Sequence, residues 1–319
     1  MNAPTRLAAY GAGLAVVLTG GLILGDRTDL GDVEAAPAGH STHSDEQEDT
    51  MSTSNVELPG GLQVSQGGYT LALADRTSDP GAQQVSFRII GPDDQPVTEY
   101  DVAHEKQLHL IAVRRDFAGF QHVHPSLDVA TGTWSVDLDL ALGSWRVFAD
   151  FVPHGGEGLT LGSDLLVAGD PGRQAPPGPS RTATVDGYTV AVTGELAAGE
   201  HVMLEFEVTK DGEPVTDLQP YLGAYGHLVA LREGDLAYLH VHPGGEPGDG
   251  VTEPGPLVEF SATAPSAGRY HLFLDFKVDG VVHTASFTLD AGTGSGDVTD
   301  QSGGSEDEGG DHGSEDHAH

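Results

Sequence analysis

HLIAVRRDFAGFQHVHP, residues 109–125, sets out a strand, a turn and a second strand in one line. Leu108–Arg114 and Gly119–His124 read as strands joined by a tight turn around Arg115-Asp116-Phe117-Ala118. If Arg114 pairs with Gly119, Ile111 faces His122 and His109 faces His124. GHLVALREGDLAYLHVHP, residues 226–243, repeats the pattern, and each of the three histidines recurs at an offset of 118. The match extends well beyond the hairpin. Gly68-Tyr69 returns as Gly187-Tyr188, Gln95-Pro96-Val97-Thr98 as Glu213-Pro214-Val215-Thr216, and the Gly143–Phe151 strand as Gly268–Phe276. A period of about 120 residues is too long for a solenoid and suits a complete domain. The chain is therefore a tandem duplication.

Within each repeat the apolar spacing is two, with Gly, Pro, Asp or Asn clusters between runs of five to seven residues. About seven short antiparallel strands per hundred residues implies an all-β fold. The expectation is two tandem immunoglobulin-like β-sandwich domains, at 58–170 and 183–291, joined by a Pro-rich linker at 171–182. Residues 26–57 and 292–319 are acidic and poor in apolar side chains, and read as a disordered linker and tail. Leu7–Gly25 is a long uncharged run preceded by Arg6. Its nineteen residues approach the roughly 20 needed to cross a bilayer. Residues 1–25 are read as an N-terminal membrane anchor, one transmembrane helix that leaves both domains outside the cytoplasm. A cleaved signal peptide, cut near Ala36-Pro37-Ala38, is the rival and would make the protein secreted.

Forty-nine acidic residues against 14 basic ones give a formal charge of −35, which argues against nucleic acid as a partner and favours cations. The chain has no cysteine, so disulfides and thiolate metal sites are excluded, leaving nitrogen and oxygen donors. On the hairpin register, His109, His122 and His124 converge within reach of one ion, and His227, His240 and His242 do the same in the second repeat. A slip of one residue would put His109 on the other face. Duplication alone would also copy plain surface histidines, yet the residues around them have diverged: Gln121 has become Leu239 and Phe117 has become Asp235. Asp150 and Asp275 correspond as well, each a candidate fourth ligand or a group that orients a ligand imidazole. Imidazole without thiolate suits Cu(II) or Zn(II) as the cofactor, with Cu(II) first in intrinsic affinity. His104, His154, His201, His271 and His283 have no counterpart in the other repeat and read as ordinary polar residues.

Catalytic signatures are weak. His104-Glu105 followed by His109 misses the zincin spacing by one residue and lies in a strand. His240-Val-His242 with Glu246 and His271 resembles a cupin set, but repeat one breaks it with Asp128 and Arg146. The protein is therefore expected not to be an enzyme, with a cupin-like metalloenzyme and a metal-free envelope interaction module as alternatives. HLIAVRRDFAGFQHVHP and its partner, each followed by WRVFADF or YHLFLDF, resemble a group of actinobacterial secreted or membrane-anchored proteins with YtkA-like and FixH-like β-sandwich domains. That resemblance implies an extracytoplasmic role associated with heavy-metal, often copper, handling.

Overall fold

The computed structural model describes residues 58–172 and 174–294, and every regular element there is a β-strand. The first repeat opens with β1 (Ser65–Gln66), β2 (Tyr69–Leu73), β3 (Thr77–Ser78) and β4 (Gly81–Ile90). It continues with β5 (Tyr100–Asp101), β6 (Leu108–Arg114), β7 (Gln121–Val123) and β8 (Ser126–Asp128). β9 (Thr133–Leu140), β10 (Gly143–Pro153) and β11 (Leu159–Val167) complete it. One sheet runs β1-β2-β4-β9-β8; the other runs β3-β11-β10-β6-β7, with β5 attached to β10.

The second repeat comprises β12 (Thr182–Val185), β13 (Tyr188–Thr193), β14 (His201–Lys210), β15 (Glu213–Pro214) and β16 (Gly226–Arg232). β17 (His240–Pro243), β18 (Leu257–Thr263), β19 (Gly268–Val278) and β20 (Val281–Ala291) follow. Its sheets run β12-β13-β14-β18-β17, with β15 on β14, and β16-β19-β20. The architecture is two immunoglobulin-like sandwiches in tandem. Among the described residues no helix is long and apolar enough to cross a membrane. The expected anchor at 1–25, the linker at 26–57 and the tail from 295 onward lie outside the described residues.

Alternation along the strands decides what each face meets. On β6 and β10, Leu108, Leu110, Ala112, Trp145, Val147, Ala149 and Phe151 point into the first sandwich, against Phe87, Ile89 and Trp134 of the facing sheet. Leu228, Ala230, Tyr270, Leu272, Leu274 and Phe276 do the same in the second. The opposite faces are not left to water. Ile111, Val113, Phe117 and Phe148 pack against Val229, Leu231, Leu236 and Phe273 in a third apolar cluster that belongs to both repeats. All seven residues of β6 are buried as a result. The contact is self-complementary: Phe120 of repeat one stacks on Phe273 of repeat two at 4.0 Å, and its counterpart Tyr238 lies against Phe148 at 5.9 Å. The two repeats thus meet through equivalent surfaces, in the manner of an isologous pair.

β6 and β7 pair with Leu110 opposite Val123, Ile111 opposite His122 and Ala112 opposite Gln121, the register read from the turn. Phe117 closes that turn at φ 65°, and Gly119 follows at φ 68° with the Trp145 ring against it. Repeat two begins the same hairpin, with Leu231 bridged to Tyr238 and Leu239 N–H donating to the Ala230 carbonyl at 2.8 Å. It then departs. His240–Pro243 leaves β16 and pairs with β18 in the other sheet, His240 opposite Thr263. Repeat one holds its chain back by a side chain: the Gln121 amide donates to the Asp139 carbonyl at 2.8 Å and accepts from its N–H at 2.9 Å. These two bonds take the place of strand pairing. Leu239, at the matching position, is fully buried and cannot do this.

Candidate metal centre

Strand pairing sets the site's frame. β6 against β10 puts His109 opposite Asp150, and β16 against β19 puts His227 opposite Asp275. By alternation all four share the face that carries Ile111 and Phe148, or Val229 and Phe273, so they fall where the two repeats meet. His122 and His124 arrive from β7 and the residue beyond it.

The imidazoles close up tightly. His109 Nδ1 is 3.1 Å from His122 Nε2 and 3.2 Å from His124 Nε2. Outer partners fix the tautomers. His109 Nε2–H donates to the Ala103 carbonyl at 3.1 Å, an oxygen that can only accept. His122 Nδ1–H donates to Asp275 Oδ2 across the repeat boundary at 2.8 Å. In their neutral forms these rings aim lone pairs at each other from Nδ1 of His109 and Nε2 of His122, with no hydrogen between them. A third ring, His227, stacks on His109 at 5.5 Å and on His122 at 4.7 Å, and its nitrogens have no hydrogen-bond partner among the described residues. One donor atom each from His109, His122 and His227 lies within 4.8 Å of the other two.

Facing ring nitrogens at this distance are bridged either by a proton, as an N–H···N hydrogen bond, or by a metal ion. With metal–nitrogen bonds of about 2.0–2.1 Å, neighbouring ligand nitrogens stand about 2.9 Å apart at a right angle and about 3.3 Å apart at a tetrahedral angle. The observed 3.1 and 3.2 Å fall in that interval. The electrostatics agree. Burial pushes His109 down to about 4 and His124 down to about 3, and holds His227 well below the usual imidazole range, with the neighbouring imidazoles adding to each shift. These rings stay neutral and ready to coordinate at ordinary pH. Asp275 in turn accepts from Thr284 Oγ1 at 2.6 Å, which fixes the carboxylate that orients His122.

The remaining expected residues are distributed differently. His227 joins the repeat-one hairpin histidines His109 and His122, while β17 pairs with β18. His242 is exposed and lines a cavity of about 280 Å³ that also touches His109, His227 and Asp150. The side chain of His240 lies outside the described residues. Among the described residues Asp150 bonds no imidazole and accepts from Thr160 Oγ1 at 3.3 Å. Among the described residues, the donors that converge are drawn from both repeats: His109 and His122 from the first and His227 from the second. Of the histidines read as ordinary, His271 is engaged by Glu233 and Thr288 and stacks on Phe117 at 3.7 Å. His283 bonds Asp186 and His154 bonds Asp101. His104 departs from its reading: at φ 48° it sits edge-on to His109 and His227, at 6.0 and 5.8 Å. Its place five residues before His109 was the only hint.

Residues 63–167 and 183–293 each match a family described as Domain of unknown function (DUF8832). No curated protein matches the chain. Among solved structures, a Salmonella alpha-2-macroglobulin is 14% identical over 75% of this chain and 15% of its own, with a TM-score of 0.23. The Yersinia pseudotuberculosis adhesin InvE is 13% identical over 71% of this chain and 60% of its own, at 0.22. Clostridium thermocellum CbhA fibronectin(III)-like modules are 11% identical over 70% and 93%, at 0.20. Likenesses at this level bear on neither activity nor partner.

Proposed function

Because the chain belongs to the DUF8832 family, whose description assigns no activity, we propose a function from the site itself: capture of a divalent copper or zinc ion between the two repeats. His109, His122, His124 and His227 are the ligands, and Asp275 orients His122. The observation that carries this reading is the pair of ring nitrogens 3.1 Å apart, each on an imidazole held from outside by a carbonyl or a carboxylate. Imidazole donors without thiolate favour Cu(II) over Zn(II) in intrinsic affinity. The role is binding and hand-over rather than catalysis, and it is extracytoplasmic, with Leu7–Gly25 holding the protein to the membrane. The resemblance of the hairpin segments to YtkA-like and FixH-like domains supports the same assignment.

Titration of Cu(II) and Zn(II) into the full chain tests it. One tight equivalent is expected, lost in the variant carrying His109→Ala and His122→Ala while its thermal unfolding stays cooperative. Weak equivalents contributed by other histidines remain in both. A tight equivalent that survives the double substitution would place the metal elsewhere and overturn the reading.

A further inference from the structure

The duplication allows the two ends of the imidazole cluster to be compared. A tight turn stands at each end: Ala103-His104-Glu105-Lys106 in repeat one and Tyr221-Leu222-Gly223-Ala224 in repeat two, again at an offset of 118. Each is closed by a reciprocal pair of backbone hydrogen bonds between its first and last residues, at 2.9 and 3.0 Å in the first and 2.8 and 3.3 Å in the second. Both middle residues lie in the left-handed region, His104 at φ 48° and Glu105 at φ 64°, Leu222 at φ 57° and Gly223 at φ 83°. The backbone is shared, and the side chain at the second position is not. Leu222 is buried, next to a Tyr221 ring that stands 6.5 Å from His124. His104 is exposed, 5.8 Å from His227 and 6.0 Å from His109. One end carries a buried side chain with no donor atom; the other carries an imidazole at the surface.

The cavity of about 280 Å³ joins that surface to the cluster, lined by the exposed His104 and by His109 and His227 within. Two imidazoles opposed across an ion, each nitrogen about 2.0–2.1 Å from it, have ring centres roughly 6.4 Å apart. His104 stands close enough to share an ion with an inner ring, yet it is not among the donors within 4.8 Å of one another. An ion held by the inner rings leaves as its bonds to them are replaced one at a time, and an exposed imidazole within reach supplies the replacement. Lys106 lines the same cavity, and its ammonium opposes a cation that arrives with no ligand to hold it.

We propose that His104 is an exchange ligand: it takes a Cu(II) or Zn(II) ion from solution, passes it through the cavity to His227 and His109, and returns it by the same route. Each bond the ion loses, to water or to a ring, is matched by one it gains. The inference rests on the capture of an ion by the inner imidazoles. His104 has no share in the final bound state, so it governs the rates of loading and release and leaves the affinity alone.

Zn(II) is the probe, on the full chain. Stopped-flow mixing with a chromophoric indicator of free Zn(II) reads capture, and mixing the loaded chain with excess chelator reads release. His104→Asn removes the imidazole and keeps a residue that accepts the left-handed turn. Capture and release at the tight site are both expected to slow at least tenfold, with the dissociation constant within threefold of wild type. Free imidazole added to the variant should restore both rates, which a merely distorted turn would not allow. Unaltered rates would overturn the proposal, as would a tenfold weaker affinity with capture unchanged, the mark of a resident ligand. A wild-type chain with no tight equivalent would overturn the inner site and this route together.

Discussion

Asp275→Asn isolates the charge behind the proposed ligand His122. The pair is sealed from water, with the two side chains 1% and 3% exposed, so its strength is little screened. The carboxylate serves two donors, His122 Nδ1–H at 2.8 Å and Thr284 Oγ1–H at 2.6 Å. An asparagine oxygen can keep the first while its amide nitrogen faces Thr284, whose hydroxyl turns to accept. The hydrogen-bond count survives and the negative charge does not. Loss of a group that orients a ligand in this way costs about 10–100-fold in metal affinity, roughly 1.4–2.7 kcal/mol. Competition for Cu(II) or Zn(II) against a chromophoric chelator measures it, with thermal unfolding of the metal-free protein run alongside. Asp275→Ala, which strands both donors, should add a stability loss of about 1–3 kcal/mol. If Asp275→Asn binds within twofold of wild type while His122→Ala loses the tight equivalent, the carboxylate does not tune His122 and the tautomer argument fails.

Acid should destabilise the metal-free protein. An unfolded imidazole takes a proton near pH 6.5, whereas folded His109 resists it down to about 4. The unfolded state therefore binds more protons between those values, and stability complete above pH 6.5 falls as pH drops toward 4, by about 1 kcal/mol per pH unit. Melting temperatures across that range should show the slope, and His109→Asn should reduce it, with His124 and His227 carrying the remainder. Phe148→Ala empties the centre of the cluster shared by the repeats. It should cost about 3–5 kcal/mol and split the calorimetric transition in two; a single unshifted transition would mean the repeats do not stabilise each other. Gly119→Ala forces a side chain into the left-handed region, with its Cβ 2.6 Å from the Trp145 ring. A loss of about 1–3 kcal/mol and weaker metal binding are expected, read by denaturant titration and by the chelator assay.

Much of the fold was open to inspection in the residues. Period-two spacing and the 118-residue offset give two sandwiches, and the turn at Arg115–Ala118 fixes the register that brings His122 and His124 to His109. The partner of that cluster was harder to see. Which face of each sandwich meets the other is decided by Ile111, Val113 and Phe148, apolar residues on what looks like the solvent side of their strands. They make β6 and β10 apolar on both faces, and a run of that kind is equally compatible with an ordinary central strand. His227 could not be assigned to the first hairpin without knowing that contact. The departure of β17 was hidden for another reason. Both hairpins share one register up to Leu239, and the divergence turns on a side-chain amide at Gln121 that bonds a backbone eighteen residues away.

A surface that meets its own copy is what a symmetric dimer uses, and here the copies are one polypeptide. Two identical subunits must change together: any substitution that opens one half of their contact opens the other as well. Once fused, the halves can part company. Gln121 and Leu239 record such a divergence, one keeping its strand on the inner sheet and the other releasing it to the outer. Covalent linkage also holds the halves at a high effective concentration, so the contact persists at any dilution. The duplication thus supplied a spare half that could lose its closed form without the protein falling apart.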